Sequence, residues 1–536
     1  MAPITALRHA ATTVLAAGML VGALAGCTQG IGGSAADGIG EAANQANTAT
    51  SRDTVTEQSG IARVSVHDPS VVKANGTYYV FGSHRAWAKS DDLVNWTTFE
   101  NNLSTDYDDI LGGIWDEWSK QTANPELTGN MWAPDVVWND TMKKWCMYMS
   151  VNGINYRSTI VLLTADDIEG DWTYVGPVVY SGFNNNTVER TDVGEVLGDG
   201  ADITRYLSPT DTEINAIDPC VKTDENGDMW MTFGSWFGGM WMLKLDPATG
   251  LRDYGTTYET VADRSDAYYG IKLGGGYGNS GEGSYLLHTN GYWYLFASYG
   301  ALQQEGGYQV RMFRSEDITG PYVDEHGNAA VSTEEVNGNW TGDTGIRLMS
   351  SIQWSGNDNA DIEVAQGHNS AMVDDDGNAY IVYHTRFSGR GEEHEVRVRQ
   401  LLPTSDGWLV AAPYEFVGAV ADTSGYAREN IVGDYELATL SKHTYFKGQT
   451  NPADKDGTEY IGVDRPVNIT LNADGTVSGD QTGTWEAADG SNQVTLTLGD
   501  VVYTGDFAKL PRDVDGKEVM TFTALGDNVT IWASQL

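Results

Sequence analysis

The run Val66-His67-Asp68-Pro69-Ser70-Val71-Val72-Lys73-Ala74-Asn75-Gly76-Thr77-Tyr78-Tyr79-Val80-Phe81 decides how this chain is read. Two apolar runs flank a Lys-Ala-Asn-Gly turn whose Asn and Gly both tolerate positive φ. The run therefore predicts a β-hairpin, with an acidic residue just ahead of its first strand. Four relatives follow it. Ala133-Pro134-Asp135-Val136-Val137-Trp138 turns at Asn139-Asp140 and returns through Trp145-Cys146-Met147-Tyr148. Asp218-Pro219-Cys220-Val221-Lys222 turns at Glu225-Asn226-Gly227 and returns through Met229-Trp230-Met231-Thr232-Phe233. Glu282-Gly283-Ser284-Tyr285-Leu286-Leu287 turns at Asn290-Gly291 and returns through Tyr292-Trp293-Tyr294-Leu295-Phe296. His368-Asn369-Ser370-Ala371-Met372-Val373 turns at Asp376-Gly377 and returns through Ala379-Tyr380-Ile381-Val382-Tyr383.

The lead positions 68, 133, 218, 282 and 368 are separated by 65, 85, 64 and 86 residues. That period exceeds those of the common solenoids, and helical patterning between the units is scarce. Each interval has room for four short strands; 158–164 with 172–175, and 310–315 with 322–323, fit as secondary hairpins. Five four-stranded units predict an all-β fold built on a five-bladed β-propeller, which radial closure leaves with only short edges. Two β-sandwiches would not explain five copies of the same opening hairpin. From about residue 423 to 536 the strands become short and turn-rich, as in 433–437, 467–471, 483–486 and 494–498. This part predicts a small antiparallel β-barrel. The expected organisation is 1–27 signal segment, 28–60 linker, 61–422 propeller and 423–536 barrel.

In a propeller, equivalent positions converge on the axis. The five leads, Asp68, Ala133, Asp218, Glu282 and His368, would gather three carboxylates and an imidazole around one cavity. No Lys or Arg stands at a lead position to neutralise them, so each carboxyl should perturb the others' pKa. Such a set points to a site rather than to a brace.

Composition limits the partners. With 32 basic and 74 acidic residues the formal charge is −42, which excludes a phosphate backbone as partner. The 17 Trp and 27 Tyr suit stacking on carbohydrate as well as filling β-sheet cores. Arg8 and His9 precede an apolar run that ends in Leu24-Ala25-Gly26-Cys27. That segment resembles a bacterial lipoprotein signal, implying an exported protein held at the membrane by a lipid on Cys27. The Gly-, Ala-, Ser- and Thr-rich stretch after it reads as a flexible tether. Of the remaining cysteines, Cys146 and Cys220, the sequence leaves open whether they are bonded.

Among hydrolytic chemistries, no His-Glu-x-x-His or Gly-x-Ser-x-Gly occurs. Asp374-Asp375-Asp376-Gly377 lacks the alternating ligands and distal Glu of a calcium loop and reads as a hairpin turn. Glycosidic hydrolysis, by contrast, requires two carboxyls, one as acid and one as base or nucleophile. Three carboxyls on one axis meet that need, the third tuning the acid.

Several motifs make a resemblance specific. Val66-His67-Asp68-Pro69-Ser70, Met131-Trp132-Ala133-Pro134-Asp135, Ala216-Ile217-Asp218-Pro219 and Gly281-Glu282-Gly283-Ser284-Tyr285 resemble the successive signatures of glycoside hydrolase family 43. Gly234-Ser235-Trp236-Phe237-Gly238-Gly239-Met240, Ser315-Glu316-Asp317-Ile318-Thr319-Gly320-Pro321-Tyr322, Gly367-His368-Asn369-Ser370 and His394-Glu395-Val396-Arg397-Val398 are similar to the endo-1,5-α-L-arabinanases of that family, in the larger secreted type with a C-terminal barrel. The resemblance implies Asp68 as general base, Glu282 as general acid and Asp218 as the residue that tunes the acid. It implies inversion, with base and acid carboxyls about 6.5–9.5 Å apart. It further implies an axial calcium ion at His368, whose remaining ligands would be water because calcium prefers oxygen. Trp132 and Phe237 either stack on furanose rings or pack the blades, and Asn155, Arg157 and Ser158 are candidate contacts for sugar hydroxyls. Arg386 reaches either the cavity or a rim salt bridge. The expected partner is arabinan or its oligosaccharides, and the expected state is a lipid-anchored extracellular monomer. An exo-acting arabinosidase or β-xylosidase is the alternative within the family, with the loops at 106–127 and 183–212 deciding whether the groove is blocked. A non-catalytic sugar-binding lipoprotein is the alternative outside it.

Overall fold

Five antiparallel sheets follow one another along the chain, and each opens with one of the five hairpins. The computed structural model describes residues 60–536 except 121, 123–124, 154–155, 209–211, 237, 277–280, 334–343, 357–361, 441, 443–462 and 488–489. The signal segment and nearly all of the tether lie outside the described residues. Among those described, no helix is long and apolar enough to cross a membrane.

The innermost strands are Ser70–Ala74, Met131–Asn139, Cys220–Thr223, Glu282–Thr289 and Glu363–Val373. Each pairs with the return strand that its turn dictates, for example Ser70↔Phe81 through Ala74↔Thr77 in the first blade. The sheets have four strands except the third, which has five. Its extra edge is Ser265–Asp266, folded back on Gly270–Gly274 from the loop ahead of it. In the fourth blade the outer strand is Ile346–Arg347, while the expected 322–323 makes only isolated bridges, from Val323 to Arg314 and to Ala329. Pro321 stands beside that segment without an N–H to extend a ladder.

A zipper of backbone N–H groups on the innermost strands, each bonded to a side chain of the neighbouring blade, ties four of the five seams together. Val136 N donates to Ser70 Oγ (3.3 Å), Val221 N to Asp135 Oδ2 (2.6 Å), Leu286 N to Cys220 Sγ (3.4 Å) and Val71 N to Ser370 Oγ (3.0 Å). Cys220 is thus an acceptor in the zipper, and both it and Cys146 are buried free thiols. The ring closes where Val64, Val66, Val71 and Val80 of the first blade pack with Tyr380, Val382, Val396 and Val398 of the fifth.

Eight strands from Gly433–Thr439 to Val529–Gln535 form a closed antiparallel barrel, as the alternation in 467–471 and 494–498 required. The barrel has its own core around Tyr435, Leu471, Phe507 and Phe522. Its outer residues Leu510, Val519, Leu525 and Trp532 join one apolar cluster with blades four and five, so it is docked rather than tethered. Asn528 Nδ2 donates to Asp324 Oδ2 (2.8 Å) and Ser355 Oγ to Glu436 Oε1 (2.6 Å) across that seam.

Candidate active site

Two residues before the regular hairpin register of each blade begins stands a residue at positive φ: Asp68 (54°), Ala133 (43°), Asp218 (57°), Gly283 (58°) and His368 (43°). The left-handed region costs a non-glycine residue roughly 1–2 kcal/mol. Strain repeated at equivalent places is the mark of a constrained site. The shared conformation also corrects the sequence alignment of blade four. Its lead is Gly283, and Glu282 stands one residue earlier, paired with Ser298. A one-residue offset matters in a strand because successive side chains leave on opposite faces. Glu282 therefore enters the axis differently from Asp68 and Asp218.

A second ring of hydrogen bonds fixes the leads. Ala133 N donates to Ser83 Oγ (2.9 Å), Asp218 N to Ser150 Oγ (3.0 Å), His368 N to Ser298 Oγ (2.7 Å) and Asp68 N to His384 Nδ1 (3.2 Å). Blade three has Gly234 at the matching place, at φ 110°, where a Cβ would lie 2.3 Å from the Gly239 carbonyl oxygen. With no hydroxyl available there, Gly283 N donates instead to Asp218 Oδ2 (3.3 Å). The absent side chain links Asp218 to the residue next to Glu282.

The three carboxyls are buried and in opposite charge states. Burial by itself would push Asp68 up, but His368, His67 and His384 outweigh it and hold the carboxyl well below the ordinary range. Their Nδ1 atoms lie 3.1, 2.8 and 3.6 Å from Asp68 Oδ1. Ser83 Oγ donates to Asp68 Oδ2. Burial in turn drives His368 and His384 down, while Asp68 opposes that shift. Glu282 is pushed up to about 8, first by burial and also by Asp68, while the Tyr308 hydroxyl (2.7 Å from Oε1) and Ser235 pull it down. Asp218 is raised well above its ordinary value by burial, Glu282 and Asp68. One carboxylate able to accept a proton is thus buried in the same ring of blades as one carboxylic acid able to give one.

Tyr308, His384, Ser83 and His67 were not among the candidates read from the sequence. Tyr308 had one indirect signal, the glycine of Gly367-His368. A Cβ on Gly367 would lie 2.1 Å from the Tyr308 ring, so that glycine admits the residue that bonds Glu282. Arg386 is buried behind the site: Nη2 and Nη1 approach His67 Nε2 and His384 Nε2 at 3.4 Å each, and Nε donates to Glu392 at 2.8 Å.

Of the candidate sugar contacts, Trp132 is half-buried beside His84 (centroids 5.5 Å), with its indole N–H buried and unbonded. Arg157 lies over the Trp118 ring at 4.9 Å, its Nε likewise unbonded. Ser158 faces the protein interior. It is wholly buried, donates to Asn215 Oδ1 (2.6 Å) and accepts from Asn152, so it braces the approach to Asp218. Asn155 and Phe237 lie outside the described residues.

For a metal, the structure offers more than His368. Among the described residues, one group places its ligand atoms within 4.8 Å of one another: His67, Asp68 and His384. Asp68 Oδ1 is buried with no hydrogen bond, and His368 presents its imidazole beside it, Nδ1 at 3.1 Å. These donors fit an oxygen-seeking cation on one condition, that water completes its six to eight ligands.

The model of "Glycosyl hydrolases family 43" matches residues 58–195 and 203–409, and that of a "C-terminal lipocalin-like domain" matches 413–533. The chain is 35% identical over 482 residues to extracellular endo-α-(1→5)-L-arabinanase 2 of Bacillus subtilis, covering 88% of this chain and 93% of that one. It is 35% identical over 480 residues to the extracellular endo-α-(1→5)-L-arabinanase of Thermotoga petrophila, covering 87% and 93%. Among solved structures, the family 43 YxiA protein of Bacillus licheniformis superposes with a TM-score of 0.72 at 33% identity, covering 88% and 98%. On the matched residues and this coverage, the chain belongs to glycosyl hydrolase family 43 and is a glycoside hydrolase.

Proposed function

We propose that the protein hydrolyses internal α-1,5 bonds of L-arabinan with inversion of configuration. The observation that carries the chemistry is the opposite charge state of two buried carboxyls on one axis, Asp68 ionised and Glu282 protonated. The relatives named above support the substrate. Asp68 takes a proton from water as the water oxygen bonds to the anomeric carbon. The bond from that carbon to the leaving oxygen breaks as Glu282 delivers its proton to that oxygen. Asp218, whose carboxyl is raised well above its ordinary value chiefly by burial, is anchored to Gly283 N and holds the acid's backbone in place. Exchange with solvent then returns the Asp68 proton and reprotonates Glu282. His368, with Asp68 Oδ1 and water, would hold a calcium ion, which supplies positive field to the carboxylates.

The decisive assay is reducing-sugar release from debranched arabinan, with and without chelator, followed by NMR of the first product. We expect short oligomers to appear before arabinose, an anomer inverted relative to the substrate, and activity lost to chelator and restored by calcium. Arabinose as sole early product would instead favour the exo action named for a more distant relative, the extracellular exo-α-(1→5)-L-arabinofuranosidase ArbA of Cellvibrio japonicus, 25% identical over 355 residues. Retention of configuration would remove Asp68 as base.

The same relatives support an extracellular location. The Leu24-Ala25-Gly26-Cys27 ending supports a lipid on Cys27 that holds the enzyme at the membrane. Metabolic labelling with a palmitate analogue should mark the protein and be lost in Cys27→Ala; labelling that survives the substitution would refute the anchor.

A further inference from the structure

The seam between propeller and barrel is not closed. A cavity of about 470 Å³ opens there, between the fifth blade and the turn that joins barrel strands Val501–Pro511 and Glu518–Gly526. Its size falls in the range of ligand pockets, roughly 300–1,000 Å³. Interfaces built only to brace are packed like protein interiors, because every unfilled gap forfeits dispersion contacts. This one keeps a gap although the apolar cluster beside it is continuous from blade to barrel.

The walls alternate charge with aromatic faces. Arg63 grips Glu415 with two nitrogens, the second at 2.6 Å. Arg397 lies 2.6 Å from Glu395 and 3.6 Å from Glu363, and Arg399 reaches Glu363 at 3.2 Å. The cations are thus answered by carboxylates already in the wall, which leaves little attraction for an ionic ligand. The fixed donors and acceptors stand beside rings: Trp354 lies against Tyr414 with centroids 5.8 Å apart, and Phe387 and Trp532 line the same space. Paired carboxylate and guanidinium groups next to aromatic rings match a neutral polyhydroxylated ring. Its hydroxyls take the hydrogen bonds and its C–H faces take the aromatics.

The loop that carries Phe387, Arg390 and Glu395 into this cavity also carries Glu392. Glu392 holds Arg386 behind His67 and His384. The cavity and the axial site therefore share a wall.

We propose that the propeller–barrel cavity is a second sugar-binding site, which takes a short neutral arabino-oligosaccharide apart from the catalytic axis. This rests on the arabinan reading above. The bound segment keeps a product or a neighbouring stretch of polymer beside the cleft, and gives the barrel a part in substrate handling.

The test uses the full chain. Calorimetric titration of arabinotriose into Glu282→Gln should give two sites. The double variant Glu282→Gln, Val514→Trp should give one, because Val514 is 42% exposed at the cavity mouth and a larger ring there blocks entry without removing an ion pair. Val514→Trp alone should still release reducing sugar from arabinan within about twofold of the wild-type rate. A crystal of Glu282→Gln soaked with arabinotriose gives a readout independent of the blocking variant, with sugar expected against Trp354 and Tyr414. One site in both proteins, or two in both, with an empty seam in the crystal and normal hydrolysis by the wild type, overturns the second site alone. No hydrolysis of arabinan by the wild type overturns the substrate reading and this proposal with it.

Discussion

Asp68→Asn is expected to lower kcat on linear arabinan by about 10³- to 10⁴-fold, the upper range of what a positioned general base contributes. Asn keeps the size of the side chain and can still accept the Ser83 hydroxyl, so the surroundings stay in place. What it loses is the ability to take a proton from water. The effect should be large because the wild-type carboxyl is held ionised by its three imidazole neighbours across the neutral range, so no fraction of the native enzyme is idle through protonation. Fold and rate separate cleanly here: Asn is neutral and polar, and the thermal transition should move by no more than a few degrees. A small anionic base such as formate, added from solution, should restore part of the rate in Asp68→Asn and none in wild type. Activity within tenfold of wild type in Asp68→Asn would remove it as the base.

Glu282→Gln should cost about 10²- to 10⁴-fold on arabinan, and much less on an aryl arabinofuranoside with an acidic phenol. The contrast follows from the role. An alkoxide-like leaving oxygen needs a proton, and an acidic phenol does not. The same carboxyl should shape the pH profile. Glu282 is pushed up to about 8, so raising pH through about 8 removes the proton that the reaction needs, and kcat/KM should fall on that limb. Lowering pH affects Asp68 instead, and because its pKa is held well below the ordinary carboxylate range, the acid limb should lie below that range too. Glu282→Gln should lose the alkaline limb. Tyr308→Phe should move it upward, because the phenol's hydrogen bond to Oε1 is one of the interactions pulling Glu282 down. An alkaline limb unchanged in Glu282→Gln would assign it to another group.

The docked barrel gives these results a structural frame. It packs against blades four and five, the blades that supply Glu282, Tyr308, His368 and His384. Its contacts at Asp324 and Arg347 are made on the outer part of blade four, and that at Ser355 on the segment leading to blade five. The two residues most exposed to error in a rigid site, the acid and its phenol, therefore sit on the best-braced part of the ring.

Much of this was legible in the sequence. Hairpins are short-range objects: Asn-Gly at a turn and alternating apolar residues beside it depend on neighbours along the chain, so five of them could be read without any tertiary contact. Their recurrence made the propeller, and the acids ahead of 70 and 220 pointed to an axis. The offset of Glu282 from its lead, the phenol of Tyr308 and the burial of Ser158 were decided only by the closed ring. Each depends on which residues far apart in the chain meet: Tyr308 is wedged against Gly367, Gly283 bonds Asp218 because Gly234 has no hydroxyl, and Ser158 meets Asn215 across two blades. No local pattern carries such pairings, because they are set by how the blades pack around the axis. The same reason hid the seam cavity, whose walls come from the segment before the first strand, the fifth blade and the barrel.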